Sequence, residues 1–322
     1  MDRQQITVMA MGAAHRAHKQ FRVDPTSRVD VFGVLRSANA YVFFRPLKSM
    51  FGAYLPTKGQ IPGLLINSNL PLSVQRYTAA HEFGHVYMNH RTMSLDSEVA
   101  FVPEERSGVD PDEIAAEAFA AFFLMPKALV VNSLRDLDLR PEQIDASTAY
   151  LLALRMGTSY RATVNHLQTL KLVTRSLAEK LRDVKPQAIK QDLNEDEKVG
   201  KRDVWVLDEL WNGKPIFPAP QDMIRIQLQE IPTSGYTWLI SEKPEGVQLL
   251  EDTYREDSED GIGGSCVHEF VARLEDDAKR SKLVLQKRRP WDEEGDSSGN
   301  FAVDVLPQEF RRTGPLVLPQ LV

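Results

Sequence analysis

With 322 residues, 42% of them hydrophobic and 26% charged, the chain has the composition of an ordinary globular protein with room for two or three domains. Its net charge of −6 is concentrated in residues 204–322, whose 13 basic and 22 acidic side chains argue against nucleic-acid binding by that part. The single Cys266 excludes an internal disulfide, and neither a signal-type segment nor an apolar stretch of eighteen residues occurs, so we expect a cytoplasmic protein with no membrane partner.

The first part of the chain shows helical and then strand-like patterns. Apolar residues recur at helical spacing over residues 8–22, and a second short helix is predicted over 29–35. β-Branched and aromatic residues predict a strand over 41–46. Residues 50–54 indicate a turn, and residues 62–67 predict another strand that ends in a turn.

Residues 73–90 carry the sequence HEFGH at positions 81–85, inside a predicted helix. Residues four apart share a helix face, so His81 and His85 can direct two imidazole nitrogens at one cation, with Glu82 beside them as general base. This pattern predicts a catalytic zinc site. The ordinary alternative is a pair of core histidines next to a solvated glutamate.

A zinc site of this type needs a third protein ligand. The third His of metzincins would fall at position 91, which is Arg91, and His90 misses that position by one residue. Glu113 and Glu117 lie one turn apart on the next predicted helix, for which Asp110 is the N-cap. Either carboxylate could complete the site, and Glu113 could instead cap its own helix, so the residues alone leave the choice open.

Two motifs resemble those of the ImmA/IrrE family of metallopeptidases. They are RYTAAHEFGH at 76–85 and E-x-x-A-x-A-F-A-A-x-x-L-M-P at 113–126, and the resemblance extends over roughly residues 10–180. In that family the Glu thirteen residues before the Pro is the third ligand, which implies Glu113 here. Glu117 stands where the family usually has Asn, so the resemblance leaves a second carboxylate near the metal.

The same resemblance implies a zincin-like domain that binds zinc or manganese and cleaves a protein, typically a repressor or an antitoxin. It also implies that residues 61–67 form an edge strand that pairs with the substrate backbone. A small sheet that only supports the active-site helix is the alternative.

The chain is predicted to be helical after Pro126, with helices over 141–153 and 159–170 separated by a Gly-Thr break. This pair could be a helix-turn-helix, but residues 131–182 carry eight basic and five acidic side chains, and a basic stripe is absent. We therefore favour a packing or partner-docking role over DNA binding. Residues 185–203 are rich in charge and poor in apolar residues, which is typical of a linker.

The last third changes to strand periodicity. Alternation over residues 224–229 predicts a half-buried strand. Further strands are predicted, with turn signals between them, over residues 238–241, 267–274, 281–287 and 301–306. Short strands at this spacing are typical of a β-sandwich.

Three of these turns are PTSGY at 232–236, GIGG at 261–264 and RPW at 289–291. In this order they resemble the loops of the chagasin family of cysteine-peptidase inhibitors. In that family the loops line one edge of an immunoglobulin-like sandwich and bind the peptidase. The first loop here has Ile231 in place of the family's Asn, which weakens the expectation of inhibition but not that of the fold. The alternative is that the tryptophans are core residues and the glycines only make turns. The resemblance implies partner-binding residues at Thr233, Ser234, Gly235, Gly263, Gly264, Arg289, Pro290 and Trp291.

The sequence therefore predicts an α+β protein with four parts: a metallopeptidase domain (1–130), a helical extension (131–184), a charged linker (185–203) and an immunoglobulin-like β-sandwich (204–322). The predicted function is metal-dependent endoproteolysis by a chain that also carries a protein-binding domain. A competing hypothesis is a non-catalytic regulator whose sandwich recruits or inhibits a cysteine peptidase. In a third hypothesis the sandwich covers the chain's own active-site cleft.

Overall fold

A computed structural model gives the structure of the protein. It describes residues 1–55, 62–90, 95–96 (backbone only), 110–194, 200, 202–256, 264–291, 297–308 and 314–315.

The N-terminal part combines four helices with a small sheet. The predicted turn at 50–54 is wrong, because its second half forms a strand, and the first helix begins earlier than predicted. The elements are α1 (Arg3–Gln20), α2 (Val31–Ser37), β1 (Tyr41–Arg45), β2 (Gly52–Leu55), β3 (Gly63–Asn67), α3 (Leu72–Tyr87), β4 (Leu95–Asp96) and α4 (Pro111–Leu124).

Five helices follow: α5 (Lys127–Asp136), α6 (Ala146–Met156), α7 (Tyr160–Thr169), α8 (Arg175–Asp183) and α9 (Pro186–Asn194). The predicted pair of helices is present as α6 and α7. Gly157 ends α6 at φ 68°, a left-handed conformation that favours glycine.

Helix α9 corrects the linker prediction, because residues 186–194 are helical and Ile189 is buried. Tertiary contact stabilises this charged helix, including an ion pair of 2.7 Å between Lys190 Nζ and Asp203 Oδ1. Residues 195–199 and 201 of the predicted linker lie outside the described part of the chain.

The C-terminal part is all β, as predicted, and its strands form two four-stranded sheets. The orders are β5-β7-β10-β9 and β6-β12-β11-β8. Sequence patterns missed β5, β6, β9 and β13. The strands of these two sheets are β5 (Val204–Leu207), β6 (Pro215–Ile216), β7 (Met223–Glu230), β8 (Thr237–Glu242), β9 (Val247–Glu256), β10 (Cys266–Leu274), β11 (Ser281–Arg288) and β12 (Gly299–Val305). A further strand, β13 (Gly314–Pro315), belongs to the N-terminal sheet.

The N-terminal sheet has the order β13-β1-β3-β2-β4. Strand β3 is therefore internal, parallel to β1 and antiparallel to β2. The expectation that residues 61–67 form a substrate-pairing edge strand is wrong, because the backbone groups of β3 pair with neighbours on both sides. Residue 61 itself lies outside the described residues.

The two parts share an interface and one continuous apolar core. The guanidinium carbon of Arg28 lies 4.2 Å from the centre of the Phe217 ring, and this arginine also donates to Gln308 Oε1 at 2.5 Å. Lys214 Nζ donates to the carbonyl oxygen of Asp136 at 2.8 Å. Strand β13 (Gly314–Pro315) joins the N-terminal sheet beside β1. The hypothesis that the sandwich covers the active-site cleft remains a prediction.

By length and composition alone, Pro111–Asp136 could cross a membrane, since an 18-residue window there has a mean hydropathy of 1.8. However, 56% of that window is buried inside the protein. Helices α4 and α5 contribute Phe119, Phe123 and Leu129 to the core, and a core helix passes the same test. This stretch is thus weak support for a membrane span.

Candidate functional site

Helix α3 places the HEFGH residues at the centre of the N-terminal core. Residues Gln75 to His85 are buried along its length, which only a helix enclosed on all sides shows. The helix begins at Leu72, directly after Pro71. His81 and His85 are each 1% exposed, and their Nε2 atoms lie 3.2 Å apart.

Helix α4 brings the third donor against this pair. Asp110 caps α4 by accepting from the backbone N–H of Asp112, and Pro111 opens the helix, as predicted. The absence of a side chain at Gly84 allows close approach, since a Cβ there would lie 3.3 Å from the Cα of Ala116. One turn before that contact, Glu113 reaches both histidines.

The three side chains fit a divalent cation. Two atoms each about 2.1 Å from a tetrahedral zinc lie about 3.4 Å apart. Glu113 Oε2 lies 3.2 Å from His81 Nε2, and Glu113 Oε1 lies 3.6 Å from His85 Nε2. All three residues offer a ligand atom within 4.8 Å of the others. Two imidazoles and one carboxylate form the donor set of a catalytic zinc site.

Glu117 lies behind His81 rather than among the three donors. Its Oε2 is 3.7 Å from His81 Nδ1, the ring nitrogen opposite the one that faces Glu113. Tyr77 donates to Glu117 Oε1 at 2.9 Å. Burial and the nearby Glu117 carboxylate raise the pKa of Tyr77 well above its usual value, so the phenol stays protonated as a donor. This arrangement can orient the His81 ring.

His90 supports His85 in a similar way, and sequence reasoning missed this role. Asn89 has φ 57°, and the N–H of His90 bonds to the carbonyl of His85 at 3.0 Å, which turns the chain back at the helix end. The Nδ1 atoms of His85 and His90 lie 3.0 Å apart, and Asp112 Oδ1 lies 3.6 Å from His90 Nε2. Burial lowers the pKa of His90, against the opposing effect of Asp112. The available signal was Asn89, which tolerates the left-handed conformation.

Glu82 is fully buried and lies against β2. A Cβ at Gly52 would come within 3.3 Å of Glu82 Oε1, 2.4 Å of Thr78 Cγ2 and 2.7 Å of the Leu65 carbonyl oxygen. The strand backbone can approach the helix this closely only because residue 52 is glycine.

Two side chains that precede the HEFGH motif in the sequence, Arg76 and Tyr77, are bound elsewhere. Arg76 is buried and donates to the carbonyl oxygens of Gly157 and Val29, while Tyr77 lies behind His81. The sequence patterns did not indicate Tyr54 as a residue of the site, although its ring stacks on His85 with centroids 6.2 Å apart. Its strand was mistaken for a turn, which hid the alternation that points Tyr54 toward α3.

In the sandwich, the first and third predicted loops lie together. Gly235 has φ 75°, and a Cβ there would lie 3.1 Å from the Trp291 ring. The guanidinium of Arg289 lies 4.9 Å from the centre of the Tyr236 ring. Trp291 is 72% exposed. We call the exposed group of residues 231–236 and 289–291 the loop surface.

The loop surface contains most of the predicted partner-binding residues. Thr233, Ser234, Arg289 and Pro290 are exposed on it, and Ser234 accepts from the backbone N–H of Tyr236 at 3.2 Å. Gly264 is half-buried, and Gly263 lies outside the described residues. Trp238 is a core residue, as in the alternative considered for the tryptophans, because it is 7% exposed and packs in the core.

A buried polar cluster lies next to the loop surface. Glu230 Oε2 accepts from the backbone N–H of Trp238 and from the hydroxyl of Thr237, both at 3.0 Å. His268 lies between two carboxylates, with Nδ1 3.1 Å from Glu230 Oε2 and Nε2 2.7 Å from Asp252 Oδ1. These bonds tie the strands on both sides of the first loop together.

A segment in each part of the chain matches a known family model. Residues 35–165 match the family model Peptidase_M78, the IrrE N-terminal-like domain. Residues 219–305 match Inhibitor_I42, the chagasin family of peptidase inhibitors. Both resemblances seen in the sequence are confirmed, and so is the fold class of a zincin-like domain with a helical extension followed by an immunoglobulin-like sandwich. No curated protein matches the chain.

Solved structures similar to the chain include the cysteine protease inhibitor EhICP2 from Entamoeba histolytica, at 22% identity and a TM-score of 0.31 over 34% of this chain and 99% of that one. Amebosin matches at 28% identity and a TM-score of 0.28, over 33% and 98%. PbICP-C, solved in complex with falcipain-2, matches at 14% identity and a TM-score of 0.21, over 33% and 91%. TM-scores this low carry no part of the assignment, which rests on the two family models.

Proposed function

We propose that this chain, which joins an IrrE N-terminal-like domain to a chagasin family domain, is a metal-dependent endopeptidase with an attached protein-binding module. The observation that carries the proposal is the triangle formed by the buried His81 and His85 and the half-buried Glu113, with Glu82 next to His81 in the sequence. Its donor atoms are spaced as a tetrahedral cation requires.

His81, His85 and Glu113 would hold zinc, or manganese in its place. When bound, the cation supplies Lewis-acid polarisation of the scissile carbonyl and makes a nearby water more acidic. Glu117 and His90 each face the nitrogen of a ligand ring that is not used for the metal. In this way they keep the metal-facing nitrogens pointed at one position.

Glu82 is the proposed general base. It takes a proton from the attacking water and returns it to the amine that leaves when the peptide bond breaks. Tyr54 lies on the strand beside α3, against His85, and is proposed as a hydrogen-bond donor to the bound substrate. Burial raises the pKa of Tyr54, so its hydroxyl remains a donor at neutral pH.

The proposed substrate is a regulatory protein such as a repressor or an antitoxin, and the proposed compartment is the cytoplasm. The substrate class follows from the family that the first domain resembles. The acidic C-terminal third is consistent with a chain that acts on a DNA-binding protein rather than on DNA.

The test is Glu82→Gln, which removes the base while preserving size. We expect elemental analysis to find the same zinc content as in the wild type, and cleavage to fall by about 10²–10⁴-fold. Cleavage is measured as new protein N-termini in a lysate of the native host after addition of each protein. Glu179→Gln, an exposed change of the same kind, is the matched control. Cleavage by Glu82→Gln equal to that of the control would reject the mechanism.

The loop surface favours a second function, the binding or inhibition of a papain-like cysteine peptidase. An exposed tryptophan beside a glycine turn is a typical anchor for a protein partner. The chagasin family match suggests the same class of partner.

Titration of papain with the full-length Glu82→Gln protein measures this second function separately from the first. Stoichiometric inhibition would support it. Papain activity that is unchanged at a large excess of the protein would contradict it, and would leave the metallopeptidase proposal untouched.

A further inference from the structure

A cavity of about 670 Å³ lies between α1, α4, α7 and α8. Its volume is within the range of about 300–1,000 Å³ typical of small-molecule sites. It shares one wall with the candidate metal centre, formed by Tyr77 and Glu117.

The floor of this cavity is apolar. Ile114, Ala118, Ala121 and Phe122 follow each other at helical spacing on α4 and are only half-buried, although they pack against the core on their other side. His166 adds a neutral wall, because burial lowers its pKa to about 4. Its ring meets Phe122 edge to face at 4.9 Å. Half-exposed apolar residues that line a cavity indicate an apolar occupant.

The rim is cationic. The ionisable lining consists of two glutamates, one histidine, one tyrosine and four arginines, so the arginines outnumber the carboxylates. Arg161 is exposed at the opening. Arg182 Nη1 donates to Asn165 Oδ1 at 3.0 Å and to Gln168 Oε1 at 2.9 Å, and these partners are neutral amides that leave its charge available. The four arginines are Arg3, Arg161, Arg175 and Arg182.

We propose that this cavity binds an amphipathic organic anion. A carboxylate or sulfonate lies at Arg161 and Arg182, where a guanidinium can bind it with two hydrogen bonds, and an aromatic or aliphatic body lies against α4. An extended peptide fits this site less well, because its backbone would need a row of main-chain partners, whereas the polar groups here belong to side chains of helices.

The first test uses 8-anilinonaphthalene-1-sulfonate, an aromatic sulfonate whose fluorescence rises in apolar surroundings. We expect saturable one-to-one binding to the full chain and competition by decanoate, a linear carboxylate. Arg161→Glu should weaken binding by at least about tenfold, because a charge-assisted contact becomes a repulsion. The matched control is Arg135→Glu, an exposed change on α5 outside the cavity, which should leave binding unchanged.

A second variant, Ala118→Trp, fills the cavity and should abolish binding, with circular dichroism and the melting temperature reporting on the fold. If that variant does not fold, the pair of arginine variants still decides the question. Equal affinities of Arg161→Glu and Arg135→Glu would overturn the proposal. Loss of binding in Trp291→Ala would also overturn it, since the probe would then occupy the loop surface. Neither measurement uses peptidase activity, so the outcome is independent of the proposed function.

Discussion

The candidate metal centre and the loop surface represent two ways of building a site. The metal centre takes its donors from two packed helices, and its two histidines are 1% exposed, each with its second ring nitrogen near another side chain. The loop surface comes from turns between strands and presents Trp291 at 72% exposure. The first arrangement fixes atoms to within a few tenths of an ångström, which metal binding requires, while the second offers area that can adapt to a partner.

The largest expected effect is on zinc affinity, and it distinguishes the ligand Glu113 from the supporting residue Glu117. Glu117→Gln should weaken zinc binding by about 10–100-fold, as expected for a residue that supports a ligand. Glu113→Gln should weaken it further, because only Glu113 faces both Nε2 atoms. Competition with a fluorescent chelator gives both affinities. Equal losses in the two variants would mean that both carboxylates coordinate the metal.

The helical part should lose stability in acid through His166. Burial lowers its folded-state pKa from 6.5 to about 4, so its contribution is present above pH 6.5 and is lost as the pH falls through about 4. The contribution of His166 to the free energy of unfolding is at most about 3 kcal/mol, because each unit of pKa difference corresponds to about 1.36 kcal/mol.

His166→Gln keeps a donor for the Met125 carbonyl but cannot titrate, so its unfolding free energy should depend less on pH between 4 and 6.5. Denaturant unfolding at several pH values measures this. The exposed His15→Gln is the control, and it should retain the wild-type slope. If the unfolding free energy of His166→Gln changed with pH as steeply as that of the control, the loss of stability in acid would not come from His166.

On the loop surface, a single side chain should carry much of the binding energy. Trp291→Ala should weaken papain inhibition by about 30-fold, which corresponds to a hot-spot contribution of about 2 kcal/mol. Leu250→Ala removes another exposed apolar side chain, which is 39% exposed on β9, and should have little effect. If both changes weaken inhibition equally, the loop surface is not the binding site.

The smallest expected effect is on stability and comes from Asp222, where the sandwich meets the helices. Its dependence on pH is opposite to that of His166. Burial and the neighbouring Asp203 raise the pKa of Asp222 from 3.8 to about 7. A raised carboxyl pKa contributes stability that is present below pH 3.8 and is lost as the pH rises through about 7.

Asp222→Asn should therefore remove a loss of about 1 kcal/mol between pH 4 and 7, a modest figure because two coupled carboxylates share the proton. Asp192→Asn, an exposed change on α9, is the control, and melting temperatures across this range are the measurement. Identical pH dependence in the two variants would show that Asp222 is ionised throughout.

The metal ligands could be predicted because the period of a helix fixes which residues share a face, and both ligand helices are regular. Glu113 could be separated from Glu117 only by family resemblance, since both lie on that face. The structure distinguishes them through the close approach of Gly84 and Ala116, a tertiary fact. The Asn89 turn that returns His90 to His85 depends on one left-handed residue, which leaves no periodic pattern.

Strand pairing and marginal elements account for the other errors. The position of β3 between β1 and β2 depends on partners remote in the sequence, so its own residues do not indicate whether it is an edge. Helix α9 has a linker-like composition and depends on contacts such as that between Lys190 and Asp203. Local propensity does not include such contacts.

The pairing of Gly314–Pro315 with Phe43 and Phe44 has a practical consequence. A fragment that stops after α9 would leave the outer side of β1 without its hydrogen-bonding neighbour and would bare the Arg28 surface that covers Phe217. Such a fragment invites strand addition between copies and precipitation. Expression of the N-terminal half alone therefore calls for a designed cap on β1, and variants of the intact chain are the sounder way to assign a role to each half.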